Sequence, residues 1–566
     1  MPVCLLPQAV IVDWPFIAGG AHSMIEVLKF GSSVLRSSDD LRVAVDEIYR
    51  RWRTGYRVLA VVSAFEGVTD RLLREIERTI GTDSREATAA YVATGEQQTA
   101  ALLVGALQRH GLPARAIEPR EIALMAEGSL LESTPVRVNL QVLERLWSSN
   151  PILVLPGFYG IDAEGRTVLF GRGGSDLSAL FLAGVLGAEC RLLKDVPGVF
   201  EADPATHLQA KRFSALSWTT AAKLSGALIQ AKALEYARGR TLSFEVGRPS
   251  EAIGTKIGAL PDALEIKPNR PKPLSVALLG CGVVGRGVYD ALKHYPEIFE
   301  LRHVVVRDLE RYSGIPEATT QTSVALGGGA DVVVICFGGT TLAHSIMAAA
   351  LEQGKFVVTA NKAAVALHGE SLSRYVRSAQ RRLWYSAAVG GALPVLENVE
   401  RLRAPVREIR GIVNSTCEVI LEAQAQGKSR AEAVAVAQSQ GLTEGDPEMD
   451  TSGRDSADKL AILIDAAFHE RIHPASISVR GIDAITGNGQ GYKLIARAHR
   501  EGGRIVATVA PEVPEPHSFL GQAEGAENRL EIELTSGEVI RLRARGAGRW
   551  PTAVSVVGDL LEIARL

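Results

Sequence analysis

Long apolar runs, paired cysteines and charge of one sign are all missing from this 566-residue chain. No uninterrupted apolar stretch approaches the roughly 18 residues that a bilayer-spanning helix needs, so no membrane segment is expected. The five cysteines, Cys4, Cys190, Cys281, Cys336 and Cys417, are scattered, odd in number and without CxxC spacing. That pattern argues against a disulfide framework or a zinc site and suits a reducing, cytoplasmic compartment. No metal site is expected. The 62 basic and 64 acidic residues leave a formal net charge of -2, which offers no electrostatic footprint for a nucleic acid or an anionic membrane. Internal repeats and low-complexity tracts are absent too, which excludes fibres and solenoids.

What is present is an average globular composition, 46% hydrophobic and 22% charged, in a chain too long for one core. Residues 1–23 are apolar but lack a basic leading region and contain Asp13, so they read as an extension rather than a signal peptide, with Met24 a second candidate start. From there short β-branched runs alternate with helical stretches: IEVLKF, RVLAVVSA, PILVLPGF and CRLLKDV, then LSVALLG, HVVVRD, DVVVICF and KFVVTA. This alternation implies an α/β protein with parallel, doubly wound sheets in two blocks. Proline and charge thicken and periodicity fades over residues 246–273, which are expected to be a linker between a first domain at 24–245 and a dinucleotide-binding domain at 274–400. Beyond, REIRGIV, RIVATVAP, LEIELTSG and EVIRLRARG predict an antiparallel sheet with inserted helices in a third domain, 401–566.

The clearest motif is Gly280-Cys281-Gly282-Val283-Val284-Gly285, between a strand and a helical run. In that context the first glycine allows the tight turn, the second lets a pyrophosphate approach the backbone at the helix N-terminus, and the third packs helix on strand. The next strand ends in Arg307 and Asp308, where the adenosine ribose of a bound dinucleotide is read. An arginine suits the 2′-phosphate of NADP and an aspartate the 2′-hydroxyl of NAD; Arg307, first after the strand, tilts the reading to NADP.

Lys362 follows the strand KFVVTA, at the carboxyl end where such folds bind ligands. Further on, Glu444, Asp446, Asp450, Asp455 and Lys459 precede or open an apolar helix, and the i,i+4 spacing puts Asp455 and Lys459 on one face. Reduction of an aldehyde by hydride transfer needs a proton donor at the carbonyl oxygen, and an ammonium-bearing substrate needs carboxylates to hold it. Lysines and acids together supply both.

Taken in order, LLGCGVVGRGVY, VVVRD, GGT, GKFVVTANKA, AAVGGALPV, GIVNSTCEVIL, GLTEGDPEMDTSGRDSADKLAIL and RGAGRWPTAVSVVGDL resemble homoserine dehydrogenases over residues 274–566. The resemblance implies a Rossmann domain followed by an α+β catalytic and dimerisation domain. Lys362 and Lys459 would then act in proton transfer, with Asp455, Glu444 and Asp450 binding or orienting the substrate. Gly280, Gly282, Val283, Val284, Gly285, Arg307, Gly338, Thr340 and Lys362 would line the cofactor, and a homodimer or homotetramer is implied. Two departures stand out. Ser386 replaces an acidic residue before the AAVGG turn, beside the family's monovalent-cation site, and Asn414-Ser415-Thr416-Cys417 replaces an Asn-Gly-Thr-Thr run, filling a glycine position beside the substrate.

The first block, through VLKFGSSV, VLAVVSAFEGVTDRL, ATGEQQTAALL, VLPGFYG, VLFGRGGSDLSALFLAGVLGA and LLKDVPGVFEADP, resembles the aspartokinase catalytic domain of the amino-acid kinase fold over about residues 25–245. This implies ATP and Mg2+ as co-substrates, Lys29 neutralising phosphate charge, Glu96 and Arg172 holding aspartate, and Ser63 and Asp176 completing the site. Against it, Gly31-Ser32-Ser33-Val34 fills a glycine position of the phosphate loop, Ala205 replaces an arginine, and Gly226-Ala227-Leu228-Ile229-Gln230 lacks the lysine expected at ATP phosphates. Two readings follow: a bifunctional enzyme of the aspartate pathway, or a homoserine dehydrogenase with a non-catalytic kinase-like assembly domain. The altered run at Ser415 and Cys417 keeps a third, a related amino-acid aldehyde reductase. About thirty residues between the halves are too few for an ACT-type regulatory domain, so threonine titrated into a dehydrogenase assay should give no cooperative inhibition; strong sigmoidal inhibition would contradict this.

Overall fold

The computed structural model describes residues 24–81, 83–204, 206–207, 209–224, 228–251, 254–265, 272–327, 329–376, 382–443 and 447–566. The extension 1–23, Ala205, Gly226, Ala227, Glu444 and Asp446 lie outside the described residues. The expected α/β class is what is found. In the first half, Glu189–Leu193, Ile25–Phe30, Arg57–Val62, Ile152–Pro156 and Ala114–Ala116 lie side by side in parallel, in that order, within a nine-stranded sheet. Strands buried on both faces read as near-continuous apolar runs, as ILVLP does, while IEVLKF carries the buried charges Glu26 and Lys29 within its run. Four short strands between Met125 and Leu169 form a separate small sheet.

The expected linker is corrected here. Phe244–Gly247, Thr255–Gly258 and Ala263–Leu264 are strands of the first sheet: Thr255–Gly258 pairs parallel with Phe213–Ser217 and antiparallel with Phe244–Gly247. The first sheet therefore runs on to about residue 265. The sequence hid this because the strands are two to four residues long and interrupted by Pro249 and Pro261, too short to show a period of two.

The second sheet is wholly parallel, and its strands run Ala318–Thr319, Phe299–Val305, Leu274–Leu279, Val332–Ile335, Phe356–Thr359, Leu383–Trp384 across the sheet. In chain order that is 3-2-1-4-5-6, the doubly wound dinucleotide-binding arrangement, with its switch point between Leu274–Leu279 and Val332–Ile335. The third sheet carries Arg504–Glu512, Lys493–Glu501, Val406–Ile412, Glu527–Leu534 and Val539–Arg545 in antiparallel order, as the alternating runs after residue 400 required, with the short strand Ser478–Val479 added parallel at the edge.

The C-terminal helix, Arg549–Ile563, joins the halves. One side packs on the Rossmann helix Val283–Leu292, the other on Leu41–Arg53 of the first half. Val554, Val556, Val557, Leu560 and Leu561 on this helix are 0% exposed, and each such burial contributes about 1.5–3 kcal/mol. One apolar core runs from Tyr49 and Trp52 to Val554 without a break.

Polar contacts reinforce the join. Arg53, buried, donates through Nη2 to Ser386 Oγ (3.0 Å) and Asp559 Oδ1 (2.6 Å) and pairs with Glu397. Tyr49 donates to Ser555 Oγ at 3.1 Å, and Tyr295 to Asp46 Oδ2 at 2.8 Å. Gly558 allows the approach, because a Cβ there would collide with Arg53 and lie 2.9 Å from the Tyr49 ring. Burial opposes the charge on Arg53, but Glu397 and Asp559 outweigh it and hold the guanidinium well above its ordinary range.

Candidate active sites

At the switch point Gly280 has φ +88, and a Cβ on it would stand 2.9 Å from the Cys336 carbonyl oxygen; one on Gly285 would collide with the Gly280 carbonyl. These two glycines are demanded by the protein's own turn and packing. Gly282 and Gly338 differ: a Cβ on either would meet no atom within 4 Å. The space over them is open at the N-terminus of Val283–Leu292, with Val283 exposed beside it, as a pyrophosphate cradle requires. Asn361, unremarked within the TANK motif, fixes this region. Its Nδ2 donates to the carbonyls of Phe337 (2.9 Å) and Gly339 (2.7 Å), and its Oδ1 accepts from the Ala364 amide at the start of the Lys362 helix. One side chain thus ties the Gly338–Thr340 loop to Lys362.

Asp308 is engaged locally, its Oδ1 accepting from the amides of Glu310 (3.0 Å) and Arg311 (3.3 Å). Arg307 beside it is exposed, with no hydrogen bond or ion pair among the described residues.

Lys362, Asp455 and Lys459 come together, the last two through their i,i+4 spacing and Lys362 from the end of a distant strand. Asp455, in the first turn of Arg454–Phe468, accepts Lys362 Nζ on Oδ1 at 2.8 Å and Lys459 Nζ on Oδ2 at 2.7 Å. Lys459 also donates to the Val413 carbonyl at 2.7 Å. Burial works against the Asp455 carboxylate, yet Lys459 and Lys362 outweigh it and hold it well below the usual range. Asp455 in turn raises Lys362 and keeps it an ammonium. Asn414 bridges the acids, its Nδ2 reaching Asp450 Oδ1 (2.7 Å) and Asp455 Oδ2 (2.8 Å). Burial and the Asp455 charge raise Asp450, so two acids of opposite tendency share one amide.

The departures from the family pattern also find places. Asn414 caps the helix Ser415–Ala425 by accepting from the Cys417 amide at 2.8 Å. Ser415, Thr416 and Cys417 are buried; Ser415 donates to Asn528 Oδ1 (3.2 Å) and Cys417 Sγ to the Asp450 carbonyl (3.2 Å). The side chains gained at the glycine position are taken up by the protein's own packing. Ser386 donates to Asp559 Oδ1 at 2.8 Å while its amide donates to Oδ2 at 3.1 Å. A carboxylate thus reaches this turn from the C-terminal helix, and Arg53 supplies a fixed cation against it. Asp559 lies within the quoted RGAGRWPTAVSVVGDL segment, but Arg53 carries no motif signal, and only spatial proximity across about 500 residues reveals the pair.

In the first half, Lys29 near the end of Ile25–Phe30 pairs with Asp176 Oδ1 at 2.7 Å. Asp176 lies in the first turn of Gly174–Leu186, and Ser63 donates to Ser175 Oγ at 3.0 Å alongside. Burial lowers Lys29 to about 8, with Asp176 opposing. Burial also works against the Asp176 carboxylate, but Lys194 and Lys29 outweigh it and bring it to about 2. Glu96 is 2% exposed; its Oε1 accepts from the Ala64 amide at 3.2 Å, and burial pushes it up to about 7. Arg172 has no hydrogen bond or ion pair among the described residues. It stands exposed on a loop whose glycines are covered from within: a Cβ on Gly171 would collide with Glu132, and one on Gly173 with Gln230. Lys232 clamps the same loop, donating to the carbonyls of Phe170 (2.9 Å) and Ser133 (2.7 Å).

The Glu96 shift has a checkable consequence. A carboxyl raised on folding holds its proton more tightly in the folded state, so its contribution is present below pH 4.5 and is lost as pH rises through about 7. Replacing Glu96 with Gln should therefore stabilise the fold at pH 8 by on the order of 3 kcal/mol, read as a higher melting temperature, and leave the melting temperature little changed at pH 4.5. An equal shift at both pH values would refute the assignment.

Fold and sites define the class: a Rossmann-type oxidoreductase joined to a kinase-type domain. Family models agree, with the amino acid kinase family matching residues 24–241, the homoserine dehydrogenase NAD binding domain 280–386, and homoserine dehydrogenase 394–561. The homoserine dehydrogenase of Corynebacterium glutamicum is 33% identical over 320 residues, spanning 52% of this chain and 72% of that protein. That of Mycobacterium tuberculosis H37Rv is 35% identical over 326 residues, 53% and 74% respectively. A crystal structure of a homoserine dehydrogenase from Thiobacillus denitrificans is similar with a TM-score of 0.48 and 30% identity, covering 52% of this chain and 74% of that one. The chain belongs to the homoserine dehydrogenase family.

Proposed function

We propose that this protein interconverts L-aspartate 4-semialdehyde and L-homoserine with a nicotinamide dinucleotide, and that its kinase-type domain phosphorylates L-aspartate with ATP and Mg2+. The observation that carries the first part is the single carboxylate of Asp455 held between two lysines. An ammonium has three N–H donors. Two on Lys459 go to Asp455 and Val413, so the third is available for a substrate oxygen. Lys362, with 37% of its side chain exposed, faces solvent more openly and serves as the second proton-transfer group.

The open space over Gly282 and Gly338 fits a dinucleotide, which when bound supplies the hydride. Lys459 then donates a proton to the carbonyl oxygen as the aldehyde carbon gains hydride, giving the alcohol; in reverse the lysine takes the proton back. Asp450 and Glu444 hold the substrate's ammonium. The local engagement of Asp308 and the exposure of Arg307 favour NADP. In the kinase-type site the aspartate side-chain carboxylate attacks the terminal phosphorus of ATP, the bond to the bridging oxygen breaks, and ADP leaves, with Lys29 offsetting the charge.

We take the parts to be 24–265, the Rossmann unit 274–400 completed by Arg549–Ile563, and the remainder as the catalytic and dimerisation unit. Among the described residues no helix is long and apolar enough to cross a membrane. Homoserine assayed with NAD and with NADP tests the first activity and the cofactor together; turnover with neither would refute it. ADP release from Mg-ATP, dependent on aspartate, tests the second.

A further inference from the structure

Lys194 has no place in the roles assigned above. It follows the strand Glu189–Leu193, whose neighbour Ile25–Phe30 aligns Phe30 with Leu193, so Lys194 is level with Gly31 at the carboxyl ends of both strands. Its Nζ donates to Asp176 Oδ1 and Oδ2 at 3.3 and 2.9 Å, beside Lys29 Nζ at 2.7 Å from Oδ1. All three side chains are nearly closed to solvent, at 6% for Lys29, 10% for Lys194 and 5% for Asp176.

Two ammonium groups therefore share one carboxylate, and the cluster holds one positive charge more than it neutralises. Leaving a buried charge uncompensated is costly, and bracing Asp176 would need only one lysine. Glu96 does not balance the surplus: burial keeps it largely protonated below about 7, and its Oε2 meets no partner among the described residues. The cluster also adjoins the N-terminus of the 13-residue helix Gly174–Leu186, whose first amides favour an anion. The resemblance also puts a lysine at ATP phosphates where this chain has Leu228.

We propose that Lys194 is a phosphate-binding residue: with Lys29 it takes the terminal phosphate of a nucleoside triphosphate and restores the positive charge that Leu228 removes. Only the identity of the nucleotide rests on the kinase reading; the phosphate site stands on the two lysines.

The test is calorimetric titration of Mg-ATP and, separately, of tripolyphosphate into the full chain and its Lys194→Gln and Lys194→Arg variants. Gln keeps a donor for Asp176 without the charge, so a mere brace would survive it. Lys194→Gln should bind both polyphosphates at least tenfold more weakly, Lys194→Arg within about threefold of the parent, and both variants should keep the parent's homoserine oxidation. Unchanged affinity in Lys194→Gln, or no binding of either polyphosphate by the parent, overturns the proposal. Should Lys194→Gln lose homoserine oxidation through misfolding, Lys194→Met and Lys194→Arg carry the same comparison. Polyphosphate binding without aspartate-dependent ADP release would support the site while refuting the aspartate kinase reading.

Discussion

Lys459→Ala should lower kcat for semialdehyde reduction by two to four orders of magnitude, the usual contribution of a positioned proton donor, with the Kd for the reduced dinucleotide unchanged within about twofold. Lys459 is 11% exposed, fixed by Asp455 and the Val413 carbonyl, and remote in sequence from the glycine cradle. Its loss removes the donor without touching Gly280, Gly282 or the Asn361 tie. Lys362→Ala should fall in the same direction. Because Asp455 loses one of its two partners in either variant, the double substitution should cost less than the product of the singles. Steady-state rates with isothermal dinucleotide titration measure all of this, and near-normal turnover in both singles would remove the lysines from the mechanism.

The second large effect is on stability and arises far from any reacting atom. Arg53→Ala leaves Asp559 and Glu397 buried without their common cation, and removal of one partner from a buried ionic cluster costs about 3–5 kcal/mol. A urea titration followed by homoserine oxidation should show the loss, since Ser386 and Asp559 belong to the dehydrogenase half while Arg53 does not. A change below about 1 kcal/mol would mean that the cluster does not hold the halves together.

The doubly wound parallel class and the pairing of Asp455 with Lys459 are legible in the sequence because each rests on a local pattern: β-branched runs, a glycine motif with its strand and helix, and an i,i+4 acid and lysine; Lys362 joins the same carboxylate across 93 residues, and only the resemblance implies it. What was not legible rests on contacts between distant segments. Arg53 reads as one more basic residue at the end of an amphipathic helix, and nothing local says that 2% of its side chain remains exposed. Lys194 reads as the end of a strand, and its pairing with Asp176 depends on which strand lies beside Ile25–Phe30. The strands at Thr255–Gly258 and Ala263–Leu264 read as linker because pairing with distant neighbours, not composition, makes them strands.

A helix clasped from both sides ties the fate of two domains to one another. A substitution that loosens the packing of Tyr49 on Ser555, or of Gly558 against Arg53, reaches the cell as less of both domains together. A shift of 1–2 kcal/mol can already change abundance severalfold. Under selection the pair is thus held at a fixed one-to-one dose, and neither half can drift in stability without the other being counted.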